Sequence, residues 1–338
     1  MKTDLFFSPV FSPCRTVMIP SSLHRLPSRV RASALVIGLC VLFAPVAAGQ
    51  EARRSDVPTA PSAVLDSTAV PTAPPDTTAS PEHLMPFSGW KVINLPTDRT
   101  LAAGNWLFLI GHRFNSPVNV GYSGFYGLDS GATMYLSLGY AITDRLLATL
   151  ARSDLDDNVE LETRYGLVNE TNPRWPVGLS VQGTVNWLTV DRPGQSRWRA
   201  AAFKYTGQIT LTRTVADRLG LAVVPGVTLN PNEGRDGEGA LATLGLGARW
   251  KVQEKVALVG EWTPVLAGPS RIRSSRYHTW AAGVELTTAG HVFQIVMSNG
   301  LGLTTDQYLR GGTLNGNVLD GNVRLGFNIF RILDFSKF

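Results

Sequence analysis

Beyond residue 104 apolar and polar positions alternate with a period of two, the spacing of β-strands that face two different media. In 177–187, Val177, Leu179, Val181, Gly183, Val185 and Trp187 share one face, and Gly178, Ser180, Gln182, Thr184 and Asn186 share the other. Met134, Leu136, Leu138, Tyr140 and Ile142 alternate with Thr133, Tyr135, Ser137, Gly139 and Ala141. Val159, Leu161, Tyr165 and Leu167 stand opposite Glu160, Glu162, Arg164 and Gly166. Comparable runs at 105–114, 145–153, 201–213, 218–229, 240–252, 255–265, 276–288, 291–299 and 321–332 bring the expected strands to twelve.

Soluble sandwiches also alternate, so link length has to separate the two classes. Thr143-Asp144, Ala216-Asp217, Gln253-Glu254 and Ala289-Gly290 are tight turns, whereas the links after strands 1, 5, 7, 9 and 11 are long. The longest is 300–321; 153–157 is short and 169–175 long against the pattern. Tight turns at one end and long loops at the other predict an all-β, antiparallel transmembrane β-barrel with both termini periplasmic. With the first strand running outward, Trp106, Tyr140, Tyr165 and Trp250 fall at the periplasmic ends of their strands, and Trp187, Phe203, Trp262 and Trp280 at the outer ends. Two aromatic girdles suit the two headgroup layers of a membrane.

Composition changes the picture at the N-terminus. Only 17% of the chain is charged against 44% hydrophobic, and the net charge of +5 is concentrated in residues 1–49, where Lys2, Arg15, Arg25, Arg29 and Arg31 face Asp4 alone. The remaining 26 basic and 25 acidic residues nearly cancel. Both cysteines, Cys14 and Cys40, lie in the same stretch, so a basic nucleic-acid binder and a disulfide or cysteine-metal scaffold are excluded for the rest of the chain. Arg25, Arg29 and Arg31, the uncharged run 32–44, Pro45 and the small Ala47, Ala48 and Gly49 have the layout of a cleavable export signal. Cleavage is expected between Gly49 and Gln50, with cleavage before Gly49 second and a start at Met18 giving a more ordinary leader. A lipid-anchored Cys40 is the competing reading, disfavoured by the bulky Leu39 before it. Residues 50–88, rich in Pro, Thr and Ala, form the expected disordered periplasmic linker, and the barrel is expected over 89–338.

Ile93-Asn94-Leu95-Pro96-Thr97, Gly111-His112-Arg113-Phe114, Ile142-Thr143-Asp144-Arg145-Leu146, Gly290-His291-Val292-Phe293-Gln294 with Ser298-Asn299, and Asn322 through Ile329 together resemble the bacterial β-barrel family known as domain of unknown function 5777. The likeness spans about residues 90–332. It implies an outer-membrane location and supplies no activity, substrate or catalytic residue. The chain runs on to Phe338, a terminal aromatic of the kind that barrel-assembly machinery reads.

Candidate chemistry is sparse. His112 and His278 share the lipid-facing register near the outer rim, where an interfacial acyl hydrolase could use them. No Gly-x-Ser-x-Gly elbow accompanies them, and no metal-ligand spacing or phosphate-cradling loop occurs. No cofactor is therefore expected. The opposite face is richer: Arg113, Glu160, Glu162, Arg164, Lys204, Gln208, Arg249, Lys251, Glu261, Glu285 and Arg324 all point into the expected lumen. Arg or Lys facing hydrocarbon would cost about 2–4 kcal/mol at the midplane, so these charges either line water or pair with one another. Glu160, Glu162 and Arg164 along one strand, and Arg249 and Lys251 beside Glu261 and Glu285, predict a bore constricted by opposite charges. The resulting expectation is a non-enzymatic narrow pore or structural envelope protein in contact with outer-membrane lipid; the alternative is a lipid-modifying enzyme using His112 or His278.

Overall fold

The computed structural model describes residues 87–170, 175–231, 239–288 and 290–333; the Gly49–Gln50 cleavage site and most of the 50–88 linker lie outside the described residues. Alternation becomes sheet as follows: β1 Trp106–Phe114, β2 Ala132–Thr143, β3 Leu146–Ser153, β4 Asn158–Val168, β5 Gly178–Leu188, β6 Phe203–Val215, β7 Leu219–Leu229, β8 Ala240–Gln253, β9 Val256–Thr263, β10 Thr279–Thr288, β11 His291–Ser298 and β12 Arg324–Leu333. Each pairs antiparallel with its neighbour in sequence, and β12 closes on β1 from Trp106↔Leu333 to Arg113↔Gly326. A three-residue piece, Val265–Ala267, continues β9 along β8. Among the described residues no helix is long and apolar enough to cross a membrane; the strands do the crossing.

On β5, Ser180, Gln182, Thr184 and Asn186 are buried on the inner face while Val185 faces out. Leu136, Leu138, Leu150, Leu161, Ile209, Val223, Val284 and Ile295 are exposed on the outer face, as a lipid belt requires. Trp106 and Tyr140 are cross-strand partners with ring centroids 4.8 Å apart at the periplasmic end, and Trp187 and Phe203 pair at the outer end.

An eight-stranded barrel is filled by its own wall side chains, but twelve strands enclose more space than the wall can fill. Two inserted segments occupy it. From the periplasmic end, residues 87–97 enter as a hairpin: Val92 N–H donates to Leu95 O at 2.8 Å, and Thr97 N–H to Trp90 O at 3.2 Å. All of these residues except Ser88 are buried. From the outer end, the loop between β11 and β12 folds inward, burying Leu303 to Gly312 around a short helix, α1 (Thr305–Leu309). The buried apolar clusters lie inside the barrel and join wall to insert. One packs Trp90 and Leu303 against Leu107, Tyr135 and Phe330; another packs Val92 and Leu95 against Val224, Leu241, Tyr308 and Leu309.

Three expectations are corrected. Phe87 and Ser88 belong to the folded unit rather than the linker, because Phe87 is buried against the barrel interior. The 300–321 segment is not an external loop throughout, because Leu303, Tyr308 and Leu309 bury apolar surface in the lumen; only the part after Gly312 is exposed. The bore is closed by inserted main chain rather than by wall charges alone. Of the other long outer loop, residues 232–238 lie outside the described residues.

Candidate functional site

The hairpin is held by its backbone. Glu261 of β9 accepts N–H bonds from Ile93 at 3.1 Å, Asn94 at 2.9 Å and Leu95 at 2.9 Å, and its other oxygen takes Asn94 Nδ2 at 2.6 Å. A tight turn points successive N–H groups in one direction, and a buried carboxylate satisfies them with charge-assisted bonds. The turn's carbonyls are met by the strands that follow β9 around the same side of the barrel. Gln294 donates to Val92 O at 2.6 Å, and Asn328 to Ile93 O at 3.0 Å. Arg113 bridges Asn94 Oδ1 at 3.2 Å and Asn328 Oδ1 at 3.0 Å. Nearer the periplasm, Arg164 donates to Trp90 O at 2.8 Å and pairs with Glu162 at 2.8 Å. Two wall glycines make room for the turn: a Cβ on Gly245 would sit 2.5 Å from a Leu95 methyl, and one on Gly247 2.9 Å from a Val92 methyl.

The outer loop has its own anchors. Thr304 and Gln307 form a capping box on α1, satisfying the donors at its start. Asn158 donates to Thr304 Oγ1 at 3.0 Å and to Asp306 Oδ1 at 2.8 Å, and Thr305 N–H donates to Glu160. Tyr308 donates to Gln208 at 3.3 Å, while its carbonyl accepts from Thr279 at 2.6 Å. Burial pushes the Asp306 carboxyl up to about 6 from its ordinary value near 3.8; Glu160 adds to the rise, and Thr304, Asn158 and Lys204 oppose it.

Ten of the eleven inward candidates, namely Arg113, Glu160, Glu162, Arg164, Lys204, Gln208, Arg249, Glu261, Glu285 and Arg324, are buried. Lys251 is half-buried beside the periplasmic turn. Arg249 pairs with Glu285 at 2.7 Å. Glu261 serves the hairpin, Glu160 takes Tyr135, Asn186 and the outer loop, and Lys204 donates to Ala201 O at 2.7 Å. Arg324 holds Asn115 O and Thr313 at the outer rim. Asn94, Gln294 and Asn328 entered the sequence reading only as motif residues of the family resemblance, and Asp306 and Tyr308 did not enter it; together they complete the two anchors.

One wall is different in kind. Across β5 and β6, Ser180 faces Thr210 and Gln182 faces Gln208, and Glu162 of β4 faces Thr184. On this wall, among the described residues, Glu162 Oε2, Ser180 Oγ, Asn186 Oδ1, Gln208 Nε2 and Thr210 Oγ1 are buried without a hydrogen-bond partner in the protein.

The two candidate histidines, His112 and His278, make different contacts. His112 stacks on Phe327 with centroids 4.8 Å apart, and its buried Nδ1 has no partner. His278 Nδ1 accepts the Val265 N–H at 3.1 Å. Neither imidazole is oriented through Nδ1 by an acid, as a nucleophile-activating histidine is. Among the described residues no group of three or more His, Cys, Asp or Glu side chains could hold a metal ion.

An apolar outer belt, aromatic rims and a polar, doubly plugged interior define an outer-membrane β-barrel in contact with lipid. The chain belongs to the family domain of unknown function 5777, described as a membrane bound beta barrel domain, whose pattern matches residues 87–333, the hairpin included. No curated protein matches it. Among solved structures it is similar to an outer membrane channel from Pseudomonas putida F1, at 14% identity and a TM-score of 0.43, over 70% of this chain and 99% of that one. It is also similar to the NanC porin, at 9% identity and 0.41 over 67% and 98%, and to Omp33 of Acinetobacter baumannii, at 8% and 0.36 over 68% and 98%.

Proposed function

We propose that the protein is a non-enzymatic, gated pore for small polar solutes, held shut at rest by its N-terminal hairpin and its β11–β12 loop. The observation that carries this reading is the partnerless polar strip of β4, β5 and β6. Buried hydroxyl and amide groups without protein partners are kept by water, and a core built only for permanent packing carries few of them. Here they are contiguous on one wall. On this reading Glu160, Glu162, Arg164, Lys204 and Gln208 flank the path, while Arg113, Glu261, Arg249 with Glu285, Lys251 and Arg324 hold the plugs or the rims. Six basic groups against four acidic ones favour solutes without strong net charge. Export with cleavage between Gly49 and Gln50, and assembly by the barrel-assembly machinery, belong to the same proposal.

The test is swelling of proteoliposomes in a small neutral sugar. Wild type should swell little; a chain with 87–97 replaced by a Gly/Ser linker and 303–310 excised should swell at a porin-like rate. No swelling by that variant, when its folded barrel still migrates in the heat-modifiable form, would sink the pore reading in favour of a permanently sealed structural barrel. Membrane lipids should be unchanged by expression of wild type; altered acyl chains that revert in His112→Ala or His278→Ala would restore the enzyme alternative.

A further inference from the structure

The outer rim carries an aromatic platform on its lipid side. Arg152, Val159, Trp187 and Phe203 are successive cross-strand partners at the outer ends of β3, β4, β5 and β6, in the outward-facing register. The β5–β6 loop folds back onto this row. Trp198 stacks on Trp187 with centroids 4.3 Å apart and lies 6.3 Å from Phe203, and the Trp187 indole N–H donates to Arg197 O at 2.8 Å. The loop is thus pinned against the outside of the wall rather than projecting into solvent, yet Trp198 remains 70% exposed.

Two exposed arginines accompany the stack. Arg152 keeps a side chain 58% exposed while one of its nitrogens meets Asp157 at 2.6 Å. Arg197 is 55% exposed and lies 3.9 Å from Asp191. Arg192 and Arg199 of the same loop are half-buried within electrostatic reach of the inward-facing Lys204, which leaves Arg152 and Arg197 as the exposed guanidiniums of the platform. Tryptophan settles at the headgroup level of a bilayer, and guanidinium is the side chain best shaped to fork onto phosphate oxygens. An aromatic platform with two exposed guanidiniums at the outer-leaflet boundary is complementary to a headgroup that presents phosphate beside a sugar face.

We infer that this platform binds a phosphorylated glycolipid of the outer leaflet, of the lipid A class. The phosphate sits between Arg152 and Arg197, and the sugar packs on Trp198. The site lies on the lipid side of the wall, so it is independent of whether the lumen conducts.

The full-length chain in mild detergent, incubated with bisphosphoryl lipid A and examined by native mass spectrometry, should retain lipid A. Arg152→Gln/Arg197→Gln should lower retention at least tenfold with unchanged heat-modifiable migration, and Trp198→Ala should lower it as well. Dephosphorylated lipid A should not be retained. Equal retention of the dephosphorylated lipid, wild-type retention by the double variant, or full displacement by millimolar inorganic phosphate would overturn the assignment. If the double variant fails to fold, Arg197→Lys supplies the comparison: it keeps charge without the fork and should weaken retention, whereas unchanged retention would count against a phosphate seat at Arg197.

Discussion

Glu261→Ala tests whether the hairpin is a gate. In the closed barrel the Glu261 carboxylate receives three backbone N–H groups and one side-chain amide from the turn 93–95. Alanine leaves those four buried donors without their acceptor. A hydrogen bond to a charged group contributes about 1.5–3 kcal/mol, but the wild-type carboxylate is itself costly to bury, and water admitted to the lumen would satisfy some of the freed donors. The net loss falls at about 3–5 kcal/mol, the cost of removing one partner of a buried ionic contact. At about 1.4 kcal/mol per tenfold, the ratio of undocked to docked hairpin rises by roughly two to three and a half powers of ten.

Single-channel recording in planar bilayers reads that ratio directly. Wild type should be silent or open in rare bursts, and Glu261→Ala should open far more often at the same unit conductance. Glu261→Gln, which keeps one acceptor oxygen, should fall between them. The chain with the hairpin replaced supplies the other corner of a cycle: in it, Glu261→Ala should add nothing, because the interaction is already gone. If Glu261→Ala stays as silent as wild type while hairpin replacement opens the pore, the carboxylate does not hold the gate and the reasoning fails.

The remaining expectations concern the outer loop and the fit of the hairpin. Asp306, surrounded by Glu160, Lys204, Asn158 and Arg310 with Asp156 nearby, has its carboxyl raised to about 6 when the loop is docked. The docked loop therefore binds a proton that the free loop releases, so docking strengthens as pH falls through about 6 and levels off below about 4. In a chain lacking the hairpin, conductance should drop on acidification, and Asp306→Asn should flatten that dependence; conductance rising with acid would refute it. Gly245→Val should push Leu95 away, since even its first carbon lies 2.5 Å from that side chain. At about 1–3 kcal/mol of overpacking it should mimic a mild Glu261→Ala, and a thermal midpoint lowered without any opening would mean that the wall yields instead. On intact cells protease should cut near the exposed Val318 and Leu319 and spare the buried 303–310, and cleavage inside that helix would show that the loop is not docked.

What could be read in advance followed from two media imposing opposite demands on alternate residues. Ser180, Gln182, Thr184 and Asn186 advertise β5 because lipid excludes them on one face and the lumen accepts them on the other. The hairpin obeys no such rule. Trp90, Val92, Ile93 and Leu95 are buried on all sides, so they carry no period, and their polar partners are far along the chain: Arg164 for Trp90, Glu261 for Ile93 and Leu95, and Gln294 for Val92. A trace existed at Gly245 and Gly247, two inward positions without side chains in mid-strand, which mark a place where another chain segment comes close. The outer loop, read as external, carried a trace as well: Thr304-Thr305-Asp306-Gln307 is a capping box, and a helix start followed by Tyr308 and Leu309 marks an insertion that buries something.

The composition of the hairpin bears on whether it can leave. Its five larger apolar residues, Phe87, Trp90, Val92, Ile93 and Leu95, contribute about 11 kcal/mol by burial at mid-range values. Its nine polar contacts, four at Glu261 and the others at Gln294, Asn328, Arg164, Arg113 and Lys91 with Tyr135, add about 9 kcal/mol, because each is exchanged for water. Ordering eleven residues costs about 16 kcal/mol. The balance favours docking by about 4 kcal/mol, within the about 3–5 kcal/mol loss assigned to Glu261 alone. A segment gripped by backbone polar contacts in a wet lumen thus sits close to its own release point. One held by apolar surface alone would keep its grip when a single carboxylate is removed, which is why Glu261 separates a gate from a permanent seal.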